Sequence, residues 1–134
     1  MIGICSIDHV QVTVSGSLLP AAKRFYGEIL GLEPAHRPGD PTEGAWYQIG
    51  PAQLHLAVED RALPEANRSR RHVCYQVMDL AVAEERLRTA GIAILPDLRP
   101  IPGVRRFFIE DPGGNRIEIA APPAATQPRQ QGLG

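Results

Sequence analysis

Apolar and polar residues alternate from Ile7 to Val14 (IDHVQVTV). Val10, Val12 and Val14 fall on one side and His9, Gln11 and Thr13 on the other, the period-two pattern of a half-buried strand. The next stretch, SLLPAAKRFYGEILGL, changes period. Leu19, Ala22, Phe25, Tyr26, Ile29 and Leu30 recur at helical spacing, Pro20 suits a first turn, and Gly31 suits a C-terminal stop. After the turn-rich PGDPTEG, the segments AWYQIG and QLHLAV read as strands joined tightly through GPA. The polar EDRALPEANRSR reads as a linker. Beyond it the order restarts. RHVCYQV alternates like the first strand. DLAVAEERLRTAG has Asp79 as an N-cap, Leu80, Val82, Ala83 and Leu87 at helical spacing, and Gly91 as its stop. IAILPDLRPIPG reads as a short strand and a proline-rich loop, and VRRFFIED and NRIEIA as strands joined by the DPGGN turn.

The chain is thus one β-α-β-β-β unit written twice. Its period is longer than the roughly 20–50 residues of a solenoid repeat, so two modules sharing a core is the better reading than a tandem array. The expected fold class is α+β. One domain spans residues 1–122, with module 1 at about 3–60 and module 2 at about 70–121, followed by a flexible tail, 123–134. The apolar strand faces need cover, and the two amphipathic helices supply it from the outer face. The polar faces are then left to line a cavity inside a curved, partly closed sheet, where polar groups need water, metal or ligand as partners.

The repeat also aligns the chemistry. Superposing DHVQVTV on RHVCYQV sets His9 on His72, an offset of 72 − 9 = 63. The same offset sets His55 on Glu118, each between two aliphatic residues: Leu54 and Leu56, Ile117 and Ile119. A lone strand histidine is usually a hydrogen-bonded core or surface residue, but four ligand-type residues at matched positions point to a divalent-metal site at His9, His55, His72 and Glu118. Three neutral imidazoles and one carboxylate leave such an ion with net charge near +1. In octahedral geometry two adjacent positions stay open, filled by water at rest. Zn, Ni, Mn, Co and Fe(II) all suit this donor set. Gln11, Gln53, Cys74 and Arg116 share the polar strand faces and are candidate substrate contacts. The alternative for each is hydrogen bonding to one another or to water, and for Arg116 pairing with a carboxylate. In the pairs Trp46–Tyr47 and Phe107–Phe108, alternation puts one ring in the core and leaves its neighbour to wall the cavity.

Composition narrows the partners. The chain has 134 residues and a formal net charge of −1, so there is no electrostatic footprint for nucleic acid. The RSRR run, Arg68 to Arg71, reads first as a solvated loop. Cys5 and Cys74 form no metal-type CxxC spacing, and a chain of this size buries its own core without disulfides. The N-terminus shows no secretory pattern, and no apolar run approaches the roughly 20 residues of a membrane span. A soluble cytoplasmic protein with no membrane partner is expected. The tail APPAATQPRQQGLG is rich in Pro, Gln and Ala and reads as poorly ordered or as an interaction arm.

The paired modules, FYGEILGL at the end of the first helix and FFIEDPGGNRIEI near the C-terminus resemble the vicinal oxygen chelate superfamily. This superfamily includes glyoxalase I, methylmalonyl-CoA epimerase, fosfomycin-resistance thiol transferases, extradiol dioxygenases and bleomycin-resistance proteins. The resemblance covers roughly residues 4 to 121. It implies metal ligands on the first and last strands of each module, which are His9, His55, His72 and Glu118 here. It further implies a metal-dependent lyase or isomerase that chelates a small molecule with neighbouring oxygens and stabilises an enolate-like or alkoxide intermediate. Glu118 would be both ligand and catalytic base, or ligand only. A drug-binding protein without turnover, a ring-cleaving dioxygenase and a thiol transferase are the other activities within its range. The glutamate common in glyoxalase I at the end of the first module is His55 here, which weakens a plain glyoxalase I assignment. The resemblance also implies a homodimer, with His9 and His55 from one chain and His72 and Glu118 from the other.

Overall fold

A computed structural model of the chain describes residues 1–60 and 69–122. The tail and most of the expected linker, including Arg68, lie outside the described residues. The first half contains β1 (His9–Val14), a 3₁₀ turn (Gly16–Leu18), α1 (Leu19–Arg24), β2 (Glu33–Ala35), β3 (Gly44–Ile49) and β4 (Ala52–Val58). The second half contains β5 (His72–Gln76), α2 (Leu80–Thr89), β6 (Arg106–Glu110) and β7 (Arg116–Ala120). The α+β class is as the patterns require. Hydrogen bonding groups the strands as β1-β4-β3-β2 and β5-β7-β6. β1 runs parallel to β4, and the other pairs of the first sheet are antiparallel. In each sheet the last strand of its half, β4 or β7, is interior: its neighbours cover both edges.

Two elements depart from the expected pattern. The helix read across SLLPAAKRFYGEILGL is α-helical only to Arg24, and Phe25–Ile29 then forms a π turn closed by Leu30 N donating to Phe25 O at 2.8 Å. A π turn inserts one extra residue per turn and shifts the helical register. Phe25 and Tyr26, adjacent in sequence, are both about 1% exposed. The short strand expected in IAILPDLRPIPG shrinks to a single bridge, Leu95 to Phe108. Pro96, Pro100 and Pro102 follow, and a proline cannot donate to a ladder. Asp79 caps α2 as expected, its carboxylate accepting from Val82 N at 3.1 Å.

The chain forms two compact units. Among the described residues, the first takes in 1–60, 69–72 and 110–117, and the second 73–109 and 118–122. In the first unit, Leu19 and Ala22 of α1 are buried, and Tyr47 of β3 donates to Lys23 O at 3.3 Å. The same unit takes in the DPGGN turn. Asp111 accepts from Tyr26 and Asn115 Nδ2 donates to Thr13 O. In the second unit, Leu87 is the buried residue of α2, and Phe107, Phe108 and Ile109 are buried together on β6. No described helix is long and apolar enough to cross a membrane.

Candidate metal centre

Interior strands leave few places for polar side chains. Among the described residues the buried polar or charged ones are His55, Asp111 and Glu118, at 7%, 5% and 8% exposure. Two of these three are the pair the 63-residue offset relates. Burial of such groups is costly without partners, so their partners define what each does.

His55 sits on β4 with Gln11 beside it on β1 and Trp46 beside it on β3. Its ring is sandwiched. The Trp46 ring lies 4.0 Å away at an interplanar angle of 3°, and the His9 ring lies 4.1 Å away at 15°. His9 is two residues before Gln11 on β1, on the same face, which is what the alternation demanded. The first half therefore brings His9 and His55 together.

Hydrogen bonds fix the proton on each ring. Gln48 Nε2 donates to two backbone carbonyls, Gly50 O at 2.8 Å and Ala52 O at 3.1 Å. Its Oε1 is thus left to accept from Gln53 Nε2 at 2.9 Å. Gln53 Oε1 must then accept from His55 Nε2, also at 2.9 Å. This chain of donors makes His55 the Nε2–H tautomer, with its lone pair on Nδ1. His9 Nδ1 lies 2.8 Å from the Asp8 carboxylate, so it carries the proton and Nε2 the lone pair. His72 Nδ1 donates to Arg70 O at 2.8 Å. Each imidazole commits one nitrogen to an oxygen acceptor, the arrangement that orients histidine as a metal ligand.

Burial, and secondarily the neighbouring His9, lower the pKa of His55 below the ordinary 6.5. The ring is therefore neutral at pH 7, as a ligand must be. The shift also makes a stability prediction. Above 6.5 both folded and unfolded chains hold His55 neutral, so the shift has no effect there. As pH falls from 6.5 through the lower folded value, the unfolded chain takes the proton first and folded stability is lost. Urea denaturation across pH 5 to 8, the range in which histidine changes charge, is expected to show a shallower acid-side loss for His55→Gln than for the unsubstituted chain. Equal slopes would contradict this role.

In the second unit, Glu118 accepts from Arg106 Nη1 at 2.7 Å. The Arg106 fork continues to Asp97, with Nε at 2.9 Å and Nη2 at 3.4 Å, and Nη2 reaches Arg99 O at 3.0 Å. The guanidinium lies 5.2 Å above the centre of the Phe108 ring. Cys74 also meets Glu118, and the offset that relates His55 to Glu118 relates Gln11, its cross-strand partner, to Cys74. Although Cys74 is exposed as a residue, desolvation around the thiol and then the hydrogen bond to Glu118 push it up to about 12. Its sulfur is thus a protonated donor at neutral pH, not a nucleophile.

Of the residues expected to contact substrate, Gln11 is exposed on β1, Gln53 joins Gln48 to His55, Cys74 meets Glu118, and Arg116 is partly buried at the start of β7. Tyr47 is core and Trp46 stacks on His55, as alternation implies, but Phe107 and Phe108 are both buried. The pattern reading missed Gln48, Asp97, Arg106 and Asp111. Arg106 had a partial signal: with Glu110 it is one of two charged residues that flank Phe108 on one face of β6. Among the described residues, no three His, Cys, Asp or Glu side chains already stand grouped as a metal requires. His9 and His55 together offer nitrogen donors of the kind a divalent cation takes, whereas the carboxylate of Glu118 is engaged by a guanidinium.

The sequence profile of the Glyoxalase/Bleomycin resistance protein/Dioxygenase superfamily matches residues 6–119. The chain belongs to this superfamily. Among solved structures, a glyoxalase family protein from Bacillus anthracis is 32% identical with a TM-score of 0.77, the match covering 90% of this chain and 98% of that one. A glyoxalase/dioxygenase from Nostoc punctiforme is 22% identical (TM-score 0.76; 89% and 92% covered). Lactoylglutathione lyase from Agrobacterium tumefaciens is 23% identical (TM-score 0.67; 87% and 92% covered). The last two share the superfamily fold. No curated protein matches the chain.

Proposed function

We propose that this chain is a divalent-metal-dependent enzyme of the superfamily, a lyase or isomerase acting on a small molecule with two neighbouring oxygens. His9, His55, His72 and Glu118 are the ligands, contributed as His9 with His55 and His72 with Glu118 by the two chains of a homodimer. One observation carries the reading: His9, His55 and His72 each have one nitrogen tied to an oxygen acceptor, and burial keeps His55 neutral. When bound, the cation supplies Lewis-acid stabilisation of negative charge on the substrate oxygens. Glu118 takes the proton from the hydroxyl-bearing carbon and the electron pair moves onto the carbonyl oxygen. Returning that proton to the former carbonyl carbon, while the hydroxyl proton passes to the other oxygen, completes an isomerisation. Cys74, a donor to Glu118, keeps the carboxylate oriented. Gln11 and Arg116, with Gln53 and Cys74, contact the substrate from the polar strand faces.

A second reading, a small-molecule binding protein without turnover, draws on the guanidinium already paired with Glu118. Metal analysis of tag-free protein, with solvent deuterium exchange into an α-hydroxycarbonyl followed by NMR, separates the two. The enzyme reading expects one divalent ion per site and metal-dependent exchange, in a sample that runs as a dimer. Protein that holds no divalent ion and exchanges no deuterium after metal addition would sink it.

A further inference from the structure

We propose that Arg106 is a built-in competitor for the metal at Glu118, and that loading the site requires its guanidinium to let go of Glu118 and stay on Asp97. This rests on the metal reading above and adds what regulates the affinity of that site.

The two halves prepare their last-strand residue differently. His55 is flanked by rings, and a chain of amides sets its tautomer. Glu118, at the matched position, is buried and already carries a full positive charge at 2.7 Å. A charge-assisted bond of this length is among the stronger side-chain contacts. A second cation at the same carboxylate would be repelled by the guanidinium, and little solvent is present to screen it, since the side chains of Arg106 and Glu118 are 15% and 10% exposed.

The fork makes release feasible. Only Nη1 binds Glu118. Nε and Nη2 bind Asp97, and Nη2 also binds Arg99 O. Breaking the Nη1 bond therefore leaves the guanidinium with a carboxylate, a carbonyl and the Phe108 face. Arg106 can withdraw without becoming an unpaired buried charge, which would be strongly unfavourable. Asp97 thus sets how readily Arg106 yields. If Arg106 merely oriented Glu118 as a ligand, its loss would weaken metal binding. The competitor role predicts the opposite sign.

The test is calorimetric titration of the full chain with Co(II), with the visible cobalt absorption as a second readout of coordination. Arg106→Gln is expected to bind Co(II) about tenfold more tightly than the unsubstituted chain, the scale of one charge-assisted hydrogen bond. Asp97→Asn, which removes the retreat position, is expected to bind several-fold more weakly. His55→Ala abolishes binding in both backgrounds. Unchanged or weaker binding by Arg106→Gln overturns the proposal while leaving the metal reading intact. Absence of Co(II) binding by both the unsubstituted chain and Arg106→Gln overturns the metal reading and the proposal with it. Should circular dichroism show Arg106→Gln unfolded, Arg106→Met decides. Methionine removes the charge and keeps an apolar stem against Phe108. Tighter binding supports the competitor role, and unchanged or weaker binding overturns it.

Discussion

The His55→Ala chain is expected to lose divalent-metal binding by roughly 100-fold or more, since even residues that only orient a ligand account for about 10–100-fold. Three consequences of one truncation add together. The Nδ1 lone pair disappears. Gln53 Oε1 loses the donor it accepts at 2.9 Å. The slot between the Trp46 and His9 rings, now 4.0 Å and 4.1 Å from His55, empties. His9 is thereby freed to turn, so the remaining imidazole is misplaced as well. A milder variant separates ligand from scaffold. Gln53→Ala leaves the ring in place but removes the acceptor that fixes its tautomer, and is expected to weaken binding about tenfold. Titration with Co(II) measures both. Unaltered affinity in His55→Ala would remove His55 from the ligand set.

The largest expected loss of stability belongs to Asp111. Its carboxylate is 5% exposed and accepts four hydrogen bonds: Gly113 N at 2.9 Å, Asn115 N at 2.9 Å, Asn115 Nδ2 at 2.8 Å and Tyr26 Oη at 2.6 Å. This is why the turn between β6 and β7 is written DPGGN. Asp111 satisfies the turn's own amides and Tyr26 from the π turn, while Asn115 reaches Thr13 O on β1. Gly113 leaves room for the approach, because a Cβ there would lie 2.6 Å from Val14 Cγ1. Gly114, at φ +83°, takes a conformation that favours glycine. Asp111→Ala orphans two backbone donors, an amide and a phenol in a buried place and is expected to cost about 3–5 kcal/mol. That is a large part of the roughly 5–15 kcal/mol that stabilises a typical domain. Tyr26→Phe removes one of the four bonds and is expected to cost about 1–2 kcal/mol. Urea midpoints measure both. An Asp111→Ala chain within about 1 kcal/mol of the unsubstituted one would show that the turn is not what anchors the hairpin.

Asp111 also explains a division that the repeat concealed. Read as a pattern, the chain splits between residues 60 and 70 into two like halves. In the folded chain, Glu110–Ile117 joins the first unit, although it lies in the second half of the sequence. The offset that aligns the histidines has no counterpart for this anchor, because GP joins β3 to β4 where DPGGN joins β6 to β7. The repeat is therefore a record of local patterning, and the extra residues of the second turn were put to a different use.

What the sequence determined by itself follows from periodicity, which is local. Period-two alternation located β1, β4, β5 and β7, an N-cap aspartate located α2, and a constant offset paired His9 with His72 and His55 with Glu118. These features depend on neighbours within a few residues, or on the same pattern occurring twice. The superfamily was legible for the same reason, since its signature is a strand, a turn and a strand in unbroken sequence. Tertiary structure decided the rest, because partners distant along the chain set it. Helical spacing put Phe25 and Tyr26 on one apolar face, and both are buried, but the π turn that holds them was not in the pattern. The hairpin register brought Gln48 to Gln53 and so chose the tautomer of His55. A buried carboxylate at position 118 demanded a positive partner, and the alternation marked Arg106 as unusual without pairing it with Glu118. The fold supplied Arg106, held in turn by Asp97, because only cross-strand packing brings residues 97, 106 and 118 into hydrogen-bonding distance.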